Sequence, residues 1–183
     1  IDSAPEFADL DDDGDLDLVT GTVNGNLGLF TNSGTADSAA FVDEPIVFSF
    51  PLFGANSAPA LIDIDDDGDL DLFVGDSAGN VSYYRNAGTA QIPVFVVGSP
   101  KFIGFAFGAT ISPAFADIDS DGDDDLFVGD SNGNIWFYRN SGDSLAPAFT
   151  FVSSQYHNIS AAAPFATPAF HDVDADGDLD LFI

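Results

Sequence analysis

Four short stretches of this chain carry carboxylates at a spacing suited to a hard metal ion. Asp9, Asp11, Asp13, Asp15 and Asp17 stand at alternate positions of the first, with Gly14 inside it. The second repeats the arrangement with Asp63, Asp65, Asp67, Asp69 and Asp71 around Gly68, and the third with Asp117, Asp119, Asp121, Asp123 and Asp125 around Gly122. The fourth holds Asp172, Asp174, Asp176, Asp178 and Asp180 around Gly177. Numbered from its first Asp, each loop offers side-chain oxygens at positions one, three, five and nine, and a backbone carbonyl at position seven. Glycine at position six lets the chain turn sharply enough for both arms to face one centre. Six or seven oxygens at about 2.3–2.6 Å make a calcium shell, whereas magnesium demands a tighter octahedron and keeps more of its water. Transition metals call for His or Cys, and the loops contain neither. The expected cofactor is Ca2+, up to four ions, one per loop.

Other readings of the same residues fit less well. An EF-hand loop begins alike but needs a bidentate Glu at position twelve and flanking helices. Position twelve here is Thr20, Val74, Val128 and Ile183, each at the end of an apolar run. Solvated acidic tracts have no reason to keep one spacing four times over. Paired carboxylates also serve glycosidases, but here they stand in every copy, which suits metal ligands better than a catalytic pair. Without a cation, so many carboxylates in nine residues repel one another and splay the loop. Metal binding and folding are therefore expected to be coupled.

The loops belong to a longer period. Their first residues lie 54, 54 and 55 apart, the signature of a repeat architecture. Residues 57–89 align with 111–143 without a gap, and 21 of 33 positions are identical. The units run 3–56, 57–110 and 111–165, with a partial fourth at 166–183. In each, a Pro-containing lead-in precedes the Asp loop, followed by a short apolar run such as Leu72-Phe73-Val74-Gly75. A Gly-Asn turn and an aromatic run come next, as in Ile135-Trp136-Phe137-Tyr138. Short β-branched and aromatic runs around an Asn-Gly turn signal a hairpin, both turn residues tolerating positive φ. Further apolar runs, Ile46-Val47-Phe48, Val94 to Val97 and Ala148 to Val152, lie in the connections. No segment keeps a 3.6-residue apolar period, so the fold class is all-β. A sheet of three or four strands per unit cannot bury both faces alone, so neighbouring units must stack.

Composition narrows the partners. Against 31 acidic residues stand 3 basic ones, a formal charge of -28. Nucleic acid is excluded, because phosphate needs Lys and Arg to displace its counterions. An anionic membrane surface is excluded likewise, and no apolar stretch is long enough to insert as a helix. Yet 45% hydrophobic residues and 19 Phe argue for a buried core rather than disorder. With no cysteine, no disulfide or thiolate chemistry is available. The absence of Met and of a basic-then-apolar leader makes the chain read as a mature or excised piece.

Isolated features carry less. His157 and His171 have no recurrent nucleophile beside them, so no catalytic residue is assigned. Arg85 and Arg139 occupy equivalent repeat positions and are expected to pair with a neighbouring acid. Trp136, where the preceding unit has Ser82, suits the core better than a sugar-stacking platform. Asn158-Ile159-Ser160 is a glycosylation sequon, which makes Asn158 a candidate modification site.

The pattern Phe53-Gly54 … Ala58-Pro59 … Asp63-x-Asp65-x-Asp67-Gly68-x-x-Asp71-Leu72-Phe73-Val74-Gly75 resembles the FG-GAP repeat of integrin α-chain heads. It is closer still to the VCBS-type repeats of large bacterial secreted and surface proteins, and Phe107-Gly108 through Gly129 repeats it. The resemblance implies a β-propeller-type array of small antiparallel sheets, about 54 residues per blade, with three complete blades and a partial fourth. It also implies calcium held by the side chains at loop positions one, three, five and nine and the carbonyl at seven. The expected role is a non-catalytic, extracellular structural or adhesive protein, secreted or at the cell surface, assembling head-to-tail into a filament or packing against neighbouring blades of a longer chain. The alternatives are a propeller module that binds a glycan or a surface protein through inter-blade loops, and an accessory propeller of a larger secreted enzyme.

Overall fold

The computed structural model of the chain describes residues 4–35, 38–44, 54–99, 102–103, 109–143, 146–159 and 164–183. The apolar run Ile46-Val47-Phe48, the aromatic halves of the Phe53-Gly54 and Phe107-Gly108 pairs, Gly108 and Ser160 lie outside the described residues.

Each complete unit folds into a four-stranded antiparallel sheet whose strands follow in chain order. The first contains β1 (Pro5–Ala8), β2 (Asp17–Gly21), β3 (Leu27–Asn32) and β4 (Phe41–Glu44). The second contains β5 (Ala58–Ile62), β6 (Asp71–Gly75), β7 (Val81–Asn86) and β8 (Phe95–Ser99), and the third β9 (Ser112–Ala116), β10 (Asp125–Gly129), β11 (Ile135–Asn140) and β12 (Phe149–Ser153). A two-stranded sheet of β13 (Ala169–His171) and β14 (Asp180–Phe182) follows. The all-β expectation holds, and the strands make blades of the propeller type. A single 3-10 turn, Tyr156–Asn158, is the helical exception among the described residues, and none of their helices is long and apolar enough to cross a membrane.

The Pro-containing lead-ins are themselves strands. Pro59 pairs with Val74 and Pro113 with Val128. Proline is tolerated because these strands form a sheet edge, where one side makes no ladder bond. The hairpin turn between the second and third strands departs from the expected Asn-Gly geometry. Gly79 and Gly133 take positive φ, whereas Asn132 does not. The turn closes through Gly79 N–H to the Asp76 carbonyl (3.3 Å) and Gly133 N–H to Asp130 (3.0 Å). The Asp76 carboxylate accepts the Ala78 and Asn80 N–H groups, so the side chain preceding the turn supplies the bracing expected of its centre.

Blades stack through repeated aromatic contacts. Phe73, fully buried in β6, stacks on Tyr83 at 4.8 Å and reaches Phe115 of the next blade at 4.6 Å. One period on, Phe127 stacks on Phe137 at 4.8 Å and meets Phe170 at 4.4 Å. The first blade replaces this set with aliphatic Val19 and Leu29, packed against Leu61. Backbone bonds join the same surfaces: Ser57 N–H to Thr22 carbonyl (3.1 Å), Ile111 to Asp76 (3.2 Å) and Ala166 to Asp130 (3.0 Å).

This approach explains the glycine that ends each second strand. A Cβ on Gly21, Gly75 or Gly129 would strike the carbonyl oxygen of Ser57, Ile111 or Ala166. Those atoms are backbone of the next blade, so relief requires the blades to part. Gly129→Ala is expected to cost about 1–3 kcal/mol, the usual penalty of overpacking, read as a lower urea midpoint. Gly28→Ala, whose Cβ would meet chiefly the Thr20 hydroxyl at 3.1 Å, serves as control. Equal effects from the two would remove the inter-blade explanation.

Candidate metal centres

Each Asp loop joins the edge strand of its unit to the second strand, so two paired strands clamp its ends. Within the loop the carboxylates wrap backbone amides. Asp9 Oδ1 accepts the Asp13 N–H at 3.1 Å, and its Oδ2 accepts the Gly14 N–H at 3.0 Å. Asp13 Oδ1 then accepts the Asp15 N–H at 3.0 Å. The same three bonds recur from Asp63, Asp117 and Asp172 onward, between 2.9 and 3.2 Å. Glycine at position six sits at φ 96, 89, 92 and 94° in the four loops. A Cβ there would meet nothing within 4 Å, so the requirement comes from the backbone conformation itself. Position four is also left-handed: Asp12, Asp66, Ser120 and Ala175 lie at φ 53–59°. The spacing of the acids gave no sign of that second bend.

The bends gather positions one, three and five. One oxygen from each of Asp9, Asp11 and Asp13 lies within 4.8 Å of the others, and so do those of Asp63, Asp65 and Asp67. Asp117, Asp119 and Asp121, and Asp172, Asp174 and Asp176, form the third and fourth triads. All four triads can hold a metal ion. Positions seven (Asp15, Asp69, Asp123 and Asp178) stand outside the triads and donate their N–H groups to position five.

Position nine is turned toward the strands. Asp17, Asp71 and Asp125 open the second strand of their blades and are 1% exposed. Asp17 Oδ1 accepts the Asn32 N–H at 2.7 Å, Asp71 Oδ1 that of Asn86 at 2.6 Å, and Asp125 Oδ1 that of Asn140 at 2.7 Å. These asparagines stand always fifteen residues downstream, and that fixed offset is the one trace of their role in the sequence. Their side-chain oxygens brace the next connection, as Asn86 Oδ1 does for Gly88 and Val94. Asp180, exposed in the fourth unit, accepts the Val173 N–H at 3.2 Å.

The second oxygen of position nine differs between blades. Asp17 Oδ2 accepts the Leu10 N–H at 3.1 Å, and Asp71 Oδ2 accepts the Tyr83 hydroxyl at 2.9 Å. The third blade has Phe137 where the second has Tyr83, and Asp125 Oδ2 is buried without a hydrogen-bond partner. Asp11 Oδ1 and Asp65 Oδ1 are buried and unpartnered as well. Anionic oxygens without donors are costly inside a protein, and a divalent cation supplies what these three lack. The donor set therefore fits a hard cation: carboxylate oxygen throughout, with donorless oxygens at position three of the first two loops and at position nine of the third.

Electrostatics agree. Burial pushes Asp71 and Asp125 up to about 6, against the opposing bonds from Asn86 and Asn140. Asp11 and Asp65 are raised by burial and then by neighbouring loop carboxylates. Of the remaining candidates, Arg139 pairs with Asp119 at 3.3 Å. Trp136 is half-buried and donates its Nε1–H to Asp130 Oδ2 at 3.0 Å. Asn158 is exposed at the end of the 3-10 turn, with φ 58°.

A family model described as FG-GAP-like repeat matches residues 9–74, 63–128 and 117–183. No curated protein matches the chain. Among solved structures, a lectin of Agrocybe aegerita is similar over 98% of this chain, with a TM-score of 0.59 and 21% identity. The chain spans 46% of that lectin's length, and the lectin is described by its specific recognition of non-reducing terminal N-acetylglucosamine.

Proposed function

The chain belongs to the FG-GAP-like repeat family, and from that premise we propose that it is a calcium-stapled propeller module that binds carbohydrate. The observation that carries the recognition half is the fold shared with a lectin over 98% of the chain. The metal half is supported by four oxygen-only triads and by the buried, donorless oxygens of Asp11, Asp65 and Asp125. Calcium is the ion this donor set suits, because it tolerates a flexible, many-oxygen shell better than magnesium does. When bound it neutralises the loop carboxylates and staples the loop, the cross-linking that disulfides cannot supply in a chain without cysteine. Positions one, three and five supply the primary ligands. Position nine and the carbonyl of seven complete the shell.

The module works outside the cell, as a section of a secreted or surface protein, and carries no catalytic residues of its own. On this reading the ligand is recognised through inter-blade loops. Likeness to a lectin favours this reading over a purely structural or filament-forming one.

Calorimetry of the calcium-loaded chain with glycans ending in N-acetylglucosamine tests it. Saturable binding, reversed by the free sugar and lost on chelation, is the expected result. A folded, calcium-loaded protein that binds none of a broad glycan set, yet sediments as growing assemblies, would return the function to a structural or adhesive array.

A further inference from the structure

Two of the metal loops have a guanidinium at their rim, and a third does not. Arg139 in β11 places Nη2 3.3 Å from Asp119 Oδ2, the position-three carboxylate of the third loop. It follows Tyr138, which pairs with Leu126 of β10. Arg85 follows Tyr84, which pairs with Leu72 of β6, and so occupies the same register in the second blade. In the first blade this register belongs to Thr31, which follows Phe30, the partner of Leu18. Each of the three nine-residue windows holds six acids and folds with the same carboxylate–amide bonds; the first two place their acids identically, while the third has Ser120 at position four and Asp124 at position eight. Between the first and second loops the arginine is the charge that distinguishes them.

We infer that Arg85 and Arg139 are resident counter-ions that grade calcium affinity along the chain, so that the first loop fills before the second and third. This rests on the calcium reading above. A guanidinium one carboxylate away from the metal position does two things. In the ion-free loop it offsets part of the repulsion among the acids, which removes some of the drive to take up a cation. In the loaded loop it faces a divalent charge across a single carboxylate group, which costs Coulomb energy. Both effects weaken binding. Arg139 is half exposed, so water and salt screen the effect, and a change of about 3- to 10-fold in affinity per loop is expected. A guanidinium that merely oriented Asp119 for the metal, as outer-shell partners commonly do, would strengthen binding instead. The sign separates the two roles.

Three of the position-six glycines provide site-resolved reporters, because Gly14, Gly68 and Gly122 donate their N–H groups to Asp9, Asp63 and Asp117 at 3.0, 2.9 and 3.0 Å. The full chain, labelled with 15N-glycine, is titrated in chelator-buffered calcium and followed by NMR. In the unaltered chain Gly14 is expected to shift at lower calcium than Gly68 and Gly122. Arg139→Thr is expected to lower the Gly122 midpoint about 3- to 10-fold while Gly14 stays in place. Thr31→Arg is expected to raise the Gly14 midpoint by a similar factor, and both changes should shrink at high salt. An unchanged or raised Gly122 midpoint in Arg139→Thr, with Gly14 titrating normally, overturns the inference and leaves calcium binding intact. No calcium response at any of these glycines overturns the calcium reading itself.

Discussion

Removing divalent cations is expected to weaken the cooperative fold of this chain severely at neutral pH. The reason lies in where its charge sits. Of 31 acids, 23 fall within four nine-residue windows, and only 3 basic residues oppose them. Three of the resulting carboxylates keep a buried oxygen with no donor. At free calcium 100-fold above Kd, each site contributes about 2.7 kcal/mol to the folded state. Four sites together supply on the order of 11 kcal/mol, comparable to the whole stability of an ordinary domain. At about 2–4 °C per kcal/mol for a chain of this size, chelation should lower Tm by tens of degrees. The check is a thermal melt, followed by near-UV circular dichroism, of one sample in millimolar calcium and in excess chelator. Magnesium at the same concentration should restore only part of the loss, because it surrenders its water reluctantly. A melt that ignores the chelator would mean that the amide bonds within the loops suffice to hold them.

Much of this arrangement was legible before the fold was known. Alternate Asp residues with Gly at position six, repeated at intervals of 54 or 55 residues, point to the four acidic triads and to the number of units. The aromatic and β-branched runs likewise announce β6, β7, β10 and β11. What stayed hidden has physical causes. The edge strands β5 and β9 contain Pro59 and Pro113, residues that ordinarily argue against a strand, and only their place at a sheet edge makes them admissible. Position four of the loop is left-handed in all four copies, but its occupants, Asp, Asp, Ser and Ala, share no signature of that conformation. The aspartates of position nine look like the other acids in the sequence. Their burial and their bonds to Asn32, Asn86 and Asn140 depend on strand pairing, which brings together residues fifteen apart.

The pH dependence of stability is expected to reverse its sign when calcium is removed. In the ion-free fold Asp71 and Asp125 stand at about 6 rather than 3.8, and Glu6 at about 7 rather than 4.5, each chiefly because burial disfavours the charged form. A raised acid binds its proton more tightly folded than unfolded. Its stabilising contribution is therefore complete below the unfolded value and is lost as pH rises through the folded one. Asp71 and Asp125 are 1% exposed, and a displacement from 3.8 to about 6 corresponds to roughly 3 kcal/mol for each. The ion-free chain should accordingly be several kcal/mol more stable near pH 4.5 than near pH 8. With calcium bound the carboxylates are held ionised, their folded pKa values fall below the unfolded ones, and stability is lost as pH falls through them. Urea midpoints at pH 4.5 and 8, in calcium-stripped buffer and in saturating calcium, decide the matter: two lines of opposite slope are expected. Asp125→Asn isolates one contributor, because it removes the charge behind an oxygen that no donor reaches. It should raise ion-free stability at pH 8 by about 1–3 kcal/mol, flatten the ion-free slope, and weaken calcium uptake at the third loop. Parallel slopes with and without calcium would show that the buried aspartates are not what the cation relieves.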